Sequence, residues 1–259
     1  MRIPTVVAAT AAVFSISSSI ASAADLNTGL RGSYSSKDVV YAEPVATAPR
    51  LYGRIDFSYG RHDTPVLTEA GIDTLTNVGF DDSKSFGGGI GLYFTSNVRG
   101  DITYERRFET DVRGSLLHAG ATLPGVRDFG LQSDLLLANL YYDFDMRGRF
   151  TPYVGVGLGA VRHSTSRSIV ESCNCTTGVM EEGETWSVAG ALMAGVGMQV
   201  MSRVHLDAGY RFLYLGEAKT GVINFEDVNG VPGPQASPGV KVEEMHAHEF
   251  RVGMRVDLR

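Results

Sequence analysis

The sequence predicts an all-β fold: eight antiparallel strands closed into a transmembrane barrel, with short turns at one end and four long loops at the other. Three observations carry that expectation. Stretches of about ten residues alternate apolar and polar side chains, the period of a strand with one apolar and one polar face. Short and long connections alternate between these stretches. The polar faces of some strands are rows of glycine, where those of others carry charge.

In chain order, Arg2 is followed by an apolar and small-residue core, Val6–Ile20, and by the small-x-small site Ala21-Ser22-Ala23. This pattern reads as a secretory signal peptide over residues 1–23, with the mature chain starting at Ala24. Residues 24–50 are polar, contain Pro44 and Pro49 and show no apolar period, so they read as a flexible lead-in. The barrel is expected over residues 51–259.

Its eight strands are read at Leu51–Gly60, Phe86–Phe94, Gly100–Phe108, Leu135–Asp145, Thr151–Val161, Thr185–Val200, Val204–Leu215 and Glu249–Leu258. The seventh alternates most cleanly: Val204, Leu206, Ala208, Tyr210, Phe212 and Tyr214 oppose His205, Asp207, Gly209 and Arg211. The third sets Ile102, Tyr104 and Phe108 against Asp101, Thr103, Glu105 and Arg107. The eighth sets Phe250, Val252, Met254, Val256 and Leu258 against Glu249, Arg251, Gly253, Arg255 and Asp257. A slip of one residue would move every charge onto the apolar face, so the pattern is specific.

A soluble barrel also alternates, with its apolar face inward. Loop length and glycine decide between the two. The links Thr95–Arg99, Met146–Phe150 and Met201–Arg203 are short, whereas 61–85, 109–134, 162–184 and 216–248 are long. Such sorting matches tight periplasmic turns and long external loops. Gly87, Gly89, Gly91, Gly155, Gly157, Gly159, Gly195 and Gly197 fall on the polar face. On an interior they make room for large side chains from other strands, while on a soluble exterior they would only weaken the strands. An even strand number puts both termini with the short turns, in the periplasm. No mature stretch of about 18 apolar residues exists, which excludes a helical span there.

The phrase Phe150-Thr151-Pro152-Tyr153-Val154-Gly155-Val156-Gly157-Leu158-Gly159, with Leu206-Asp207-Ala208-Gly209-Tyr210-Arg211-Phe212, resembles the OmpA-type transmembrane domain. More narrowly, it is similar to the alphaproteobacterial surface-antigen or "porin family" barrels, over about residues 51–258. The resemblance implies an outer-membrane barrel whose relatives serve as envelope components, adhesins, narrow pores or antigens. It also implies handling by the barrel-assembly machinery, which reads a terminal aromatic; this chain instead ends Leu258-Arg259.

The candidate site is the charge set of the inner face: Arg54, Asp56, Asp101, Glu105, Arg107, Asp207, Arg211, Glu249, Arg251 and Arg255. Two readings exist. The arginines could line an anion-selective path, or the acids could pair with them in a plug. The small diameter of eight strands and the cost of unpaired charge in a narrow lumen favour the plug.

Five of the six histidines (His62, His118, His163, His246 and His248) fall in loops or at the outer rim. His246 and His248 share a strand face, an arrangement open to a metal or haem iron. His163-Ser164-Thr165-Ser166 with Glu184 is the only arrangement suggesting a rim lipid hydrolase, and spacing alone assembles no triad. Cys173 and Cys175 lack the partners a zinc site needs and read as a local loop disulfide or two free thiols.

Counted over residues 61–84, 109–132, 163–184 and 216–244, the four long loops carry formal charges of −3, −1, −3 and −3, or −10 together, against −6 for the whole chain. The short turns carry Arg99, Arg147, Arg149 and Arg203. The acidic loops suit outer-membrane lipid and lipopolysaccharide held through divalent cations, or basic partners, although solvation alone also explains them. No phosphate loop, catalytic metal motif, cofactor motif or nucleic-acid-binding motif is present. The expected function is therefore a non-enzymatic, surface-exposed envelope barrel of the bacterial outer membrane. A narrow porin for small solutes is the alternative, and a rim lipid hydrolase a distant third.

Overall fold

Each of the eight alternating stretches falls on one strand: five lie wholly within it, and three, ending at Phe94, Asp145 and Leu258, are bounded past its last residue (Tyr93, Asp143 and Asp257). Each strand pairs with its neighbours until the first meets the last. A computed structural model describes residues 50–69, 75–118, 121–144, 148–172, 176–226 and 238–258. The signal-peptide region, nearly all of the lead-in, and Cys173 and Cys175 lie outside the described residues.

The strands are β1 (Arg50–His62), β2 (Val66–Glu69), β3 (Thr76–Phe80), β4 (Ser83–Tyr93), β5 (Val98–His118), β6 (Ala121–Asp143), β7 (Phe150–Thr165), β8 (Ser168–Ser172), β9 (Thr176–Met180), β10 (Gly183–Met201), β11 (Val204–Lys219), β12 (Ile223–Glu226) and β13 (Val240–Asp257). Strands β1, β4, β5, β6, β7, β10, β11 and β13 pair in that order, and β1 with β13 closes the ring. All eight pairings are antiparallel; the closing one runs from Tyr52↔Asp257 to His62↔Ala247. Closure leaves no edge, so away from the bulges the backbone donors and acceptors of the ring are met within the sheet, as hydrocarbon demands.

Outward side chains form an apolar belt. Phe57, Ile90, Ile102, Leu136, Leu158, Val188, Leu192, Phe250 and Val252 are all exposed to the surroundings of the ring. On a water-soluble molecule such a continuous patch would be an aggregation liability; against lipid it is the solvated face. Phe94, Phe144 and Phe150 edge the belt on the short-turn side, with Tyr59, Tyr104 and Trp186 toward the other. Both ends of the barrel chain lie on the short-turn side, where the Leu258 amide donates to the Leu51 carbonyl at 2.7 Å.

The long connections are not plain loops. Strands β5 and β6 run 21 and 23 residues, roughly twice the 9–11 that cross a bilayer, and their far halves stand beyond the belt as a hairpin. The reading of 109–134 as loop is corrected accordingly. Its cause is a β-bulge: register shifts between Arg107 and Thr110, and Phe108 and Glu109 both face outward. Inward positions then pass from odd numbers (Glu105, Arg107) to even ones (Thr110, Val112), and the two-residue period breaks although the strand continues.

Strands β11 and β13 do the same at Gly216, with φ 66°, and near Glu244, with φ 52°. Additional short strands complete this outer region. Strand β2 pairs with β13, β3 with β5, and β8, β9 and β12 form a separate three-stranded sheet.

Candidate functional site: the lumen and the outer wall

Inward side chains fill the lumen in two storeys. The lower one is polar. Arg54, from β1, donates through Nε and Nη2 to both Asp56 carboxylate oxygens (2.7 and 2.8 Å) and through Nη1 to Asp101 Oδ2 at 2.7 Å. Asp101 also accepts from the Tyr52 hydroxyl at 2.9 Å and from Asn139 Nδ2 at 2.8 Å. Arg251 reaches Asp56 at 3.6 Å and donates to the Tyr141 hydroxyl at 3.2 Å.

One turn of the pleat higher, Arg211 donates to Glu249 Oε2 through Nε at 2.8 Å and to Glu105 Oε1 at 2.7 Å. Arg107 pairs with Glu249, contacts Glu105 at 3.7 Å and donates to Ser83 Oγ at 2.7 Å. At the short-turn end Arg255 donates to Asp207 Oδ1 at 3.3 Å. The ten residues read from the sequence are thus all buried, and four strands (β1, β5, β11 and β13) bring them together.

Several members of this network carried no clear sequence signal. Arg99, assigned above to a short turn, is instead 1% exposed, pairs with Asp143 at 2.9 Å and stacks over Tyr141 and Tyr153 (4.1 and 5.0 Å). Strand β5 starts before Gly100, and its alternation puts Arg99 inside. With Arg99 and Asp143 included, six arginines face six carboxylates in the lumen among the described residues, so these charges balance. Three of the eight glycines make room for tyrosine rings: a Cβ on Gly195 would stand 2.6 Å from the Tyr153 ring and hydroxyl, one on Gly155 2.5 Å from Tyr141 and one on Gly91 closer still to Tyr52, while Gly157 and Gly197 stand against Asn139 and Asp207.

The upper storey is apolar. Leu213 and Leu215 of β11 and Met245 and Ala247 of β13 point inward and are buried, outward of Arg211 and Glu249, while the buried Leu135 and Leu137 of β6 stand opposite Glu105 and Thr103, level with the polar network. Above them Leu67, Leu75, Val112 and Phe129 continue the core into the outer hairpins. Each such side chain contributes about 1.5–3 kcal/mol on burial. A fully buried pair, Arg127 with Glu69 at 2.9 Å, sits in this region. Between the storeys, His62, Arg107, Ser133, His163, Leu215 and Met245 border a cavity of about 10 Å³, no more than one water needs.

That cavity disposes of the rim triad. His163, read as a rim residue, points inward; its Nδ1 meets Ser133 Oγ at 2.8 Å and its Nε2 the Leu215 carbonyl at 2.9 Å. Ser164 follows on the opposite face of β7 and pairs across to Glu184, so His163, Ser164 and Glu184 do not converge. His62 likewise turns into the outer end of the lumen, against Phe80.

His246 and His248 do share the outer face. His246 stacks on Phe212 at 5.5 Å, and His248 bonds the Tyr210 hydroxyl and approaches Asp63 at 3.3 Å. Among the described residues no three His, Cys, Asp or Glu side chains converge as metal ligands would. Outside the belt, Lys241 bonds Glu243 (2.9 Å) and Glu217 (3.2 Å), and these hydrogen bonds, Glu243 first, hold its ammonium above the ordinary lysine value.

Residues 90–233 match the model of the Opacity family porin proteins. Uncharacterized proteins of Brucella abortus (strain 2308) and Brucella suis biovar 1 (strain 1330) are 30% identical over 218 residues, 73% of this chain and 74% of theirs. Among solved structures, Neisserial surface protein A is 20% identical, with TM-score 0.44 over 80% of this chain and 97% of that one. Outer membrane protein OprG from Pseudomonas aeruginosa is 12% identical, with TM-score 0.48 over 82% and 97%.

Proposed function

The chain belongs to the Opacity family of porin proteins, and we propose that within this family of outer-membrane β-barrels it works as a filled wall element rather than a pore. It carries no chemistry of its own. It anchors an outer, partly acidic surface on a rigid, lipid-embedded ring. One observation supports this reading above the rest: the lumen is occupied twice, by a charge-balanced network and then by an apolar core. An ion crossing it would have to break buried pairs and then enter a hydrocarbon-like plug, each step costing several kcal/mol.

Function then resides on the outer surface. Asp63, Asp81, Asp82, Glu181, Glu182, Glu217 and Glu243 stand there, suited to divalent cations shared with lipopolysaccharide phosphates or to a basic partner. Cleavage of a signal peptide at Ala23, delivery to the barrel-assembly machinery and periplasmic termini complete the proposal. Flux of arabinose and glycine from liposomes loaded with the full-length mature protein tests it. The filled barrel predicts rates equal to empty liposomes. Rates rising with protein density would establish the alternative, a narrow porin, which the family's name supports.

A further inference from the structure

One row of outward side chains breaks the apolar belt. Cross-strand register sets Phe57 opposite Phe86, Phe86 opposite Arg106, Arg106 opposite Asp134, Asp134 opposite Arg162 and Arg162 opposite Trp186. The row runs across six strands at the outer edge of the belt. Below it the wall is apolar (Leu136, Leu158, Val188), and above it Gln132, Ser164 and Glu184 are polar. It therefore lies at the depth where lipid head groups meet acyl chains.

Within the row Asp134 is nearly buried, its side chain 13% exposed, and its oxygens are committed. Oδ1 accepts from the Tyr104 hydroxyl at 2.7 Å and from Arg106 Nη1 at 3.4 Å, and Oδ2 accepts from Arg162 Nη2 at 2.8 Å. One carboxylate thus orients two guanidinium groups whose side chains stay 52% and 38% exposed. Glu184 stands 3.9 Å from Arg162 Nη1, beyond hydrogen-bond reach but within ion-pair range. Each guanidinium has five N–H donors in a planar fork that matches phosphate oxygens in pairs. Taken alone, the Arg106–Asp134–Arg162 triplet carries one net positive charge, which Glu184 partly offsets, on a molecule whose outer loops total −10. Trp186 and Tyr104 flank it, as amphipathic rings do at a membrane interface.

We propose that this wall, formed by β4 to β7 and β10, binds the phosphate of an outer-leaflet lipid head group between Arg106 and Arg162. The acyl chains then lie down the apolar strip beneath. Asp134 positions the two arginines and does not touch the lipid. The proposal rests on the barrel being inserted with its long hairpins outward; it does not depend on whether the lumen conducts.

The chain's single tryptophan, Trp186, sits at the site and reports binding by its fluorescence. Full-length mature protein folded in detergent micelles is titrated with diphosphoryl lipid A, with lipid A stripped of phosphate, with phosphatidylglycerol and with inorganic phosphate. Diphosphoryl lipid A is expected to saturate the signal, and R106Q/R162Q to weaken it at least tenfold, each single change giving part of that. Arg113→Gln, in the hairpin beyond the belt, is expected to leave binding unchanged.

Heat-modifiable gel migration checks that each variant folds. Should the glutamine pair fail that check, R106K/R162K keeps the charge without the fork and is expected to bind several-fold more weakly. Equal binding of phosphatidylglycerol would support the site with a glycerophospholipid as its source. Dephosphorylated lipid A binding as well as the phosphorylated form, R106Q/R162Q binding like wild type, or inorganic phosphate alone saturating the site would each overturn the proposal. A conducting barrel with intact lipid binding would overturn only the filled-lumen reading.

Discussion

Replacing Arg211 by methionine removes one cation from a buried quartet while keeping most of its volume. Arg211 is 1% exposed and holds Glu105 at 2.7 Å and Glu249 at 2.8 Å; Arg107 shares both acids, touching Glu105 only at 3.7 Å. The variant therefore leaves two carboxylates against one guanidinium in a space with no room for bulk water. Breaking such a pair costs about 3–5 kcal/mol, whereas a water-exposed pair is worth about 0–1 kcal/mol. The second change, Glu105→Gln, removes the stranded charge and leaves Arg107 with Glu249. R211M/E105Q is then expected to recover most of the loss, ending about 1–2 kcal/mol below wild type. Equilibrium urea unfolding in lipid vesicles, followed through Trp186, measures all three proteins. A loss under 1 kcal/mol for Arg211→Met, or a double variant no more stable than the single, would refute a dry, internally paired lumen.

Two backbone predictions are equally specific. Gly195→Val would drive its side chain into the Tyr153 ring, 2.6 Å from the added Cβ, and is expected to abolish heat-modifiable folding; Gly190→Ala, whose Cβ meets nothing nearer than 4.0 Å, should fold normally. Gly216→Ala must adopt φ 66° and press on Ser187 Cβ at 2.7 Å, so it should lower unfolding stability by about 1–2 kcal/mol, a loss absent if the outer strands are slack.

Much of the barrel was legible because lipid and lumen impose opposite demands on alternate residues. Phe250 to Leu258 against Glu249 to Asp257 needs no tertiary information to be sorted into two faces. That legibility ended at the bulges. Phe108 and Glu109 both face outward, and Gly216 shifts the parity of β11, so strands that run on into the outer hairpins read as loops from 109 and from 216.

The apolar part of the lumen lining was hidden for a different reason. In Leu135-Leu136-Leu137 an inward leucine, a lipid-facing leucine and another inward leucine look alike, because both sides of the wall are apolar there. Arg99 and His163 were misplaced by one or two residues of strand boundary, and a single step decides whether a side chain enters the lumen or leaves it. The Arg106–Asp134–Arg162 row depends on register between strands far apart in sequence, which periodicity within each strand does not encode.

The filled lumen is the claim on which the rest of the functional account depends, and single-channel recording in planar bilayers tests it most directly. Wild-type protein, inserted and shown to be folded by heat-modifiable migration, is predicted to leave the membrane current at its baseline under applied voltage. Steady unitary openings selective for anions, arising from wild-type protein and altered by Arg211→Met, would contradict it and make the arginines a conducting path.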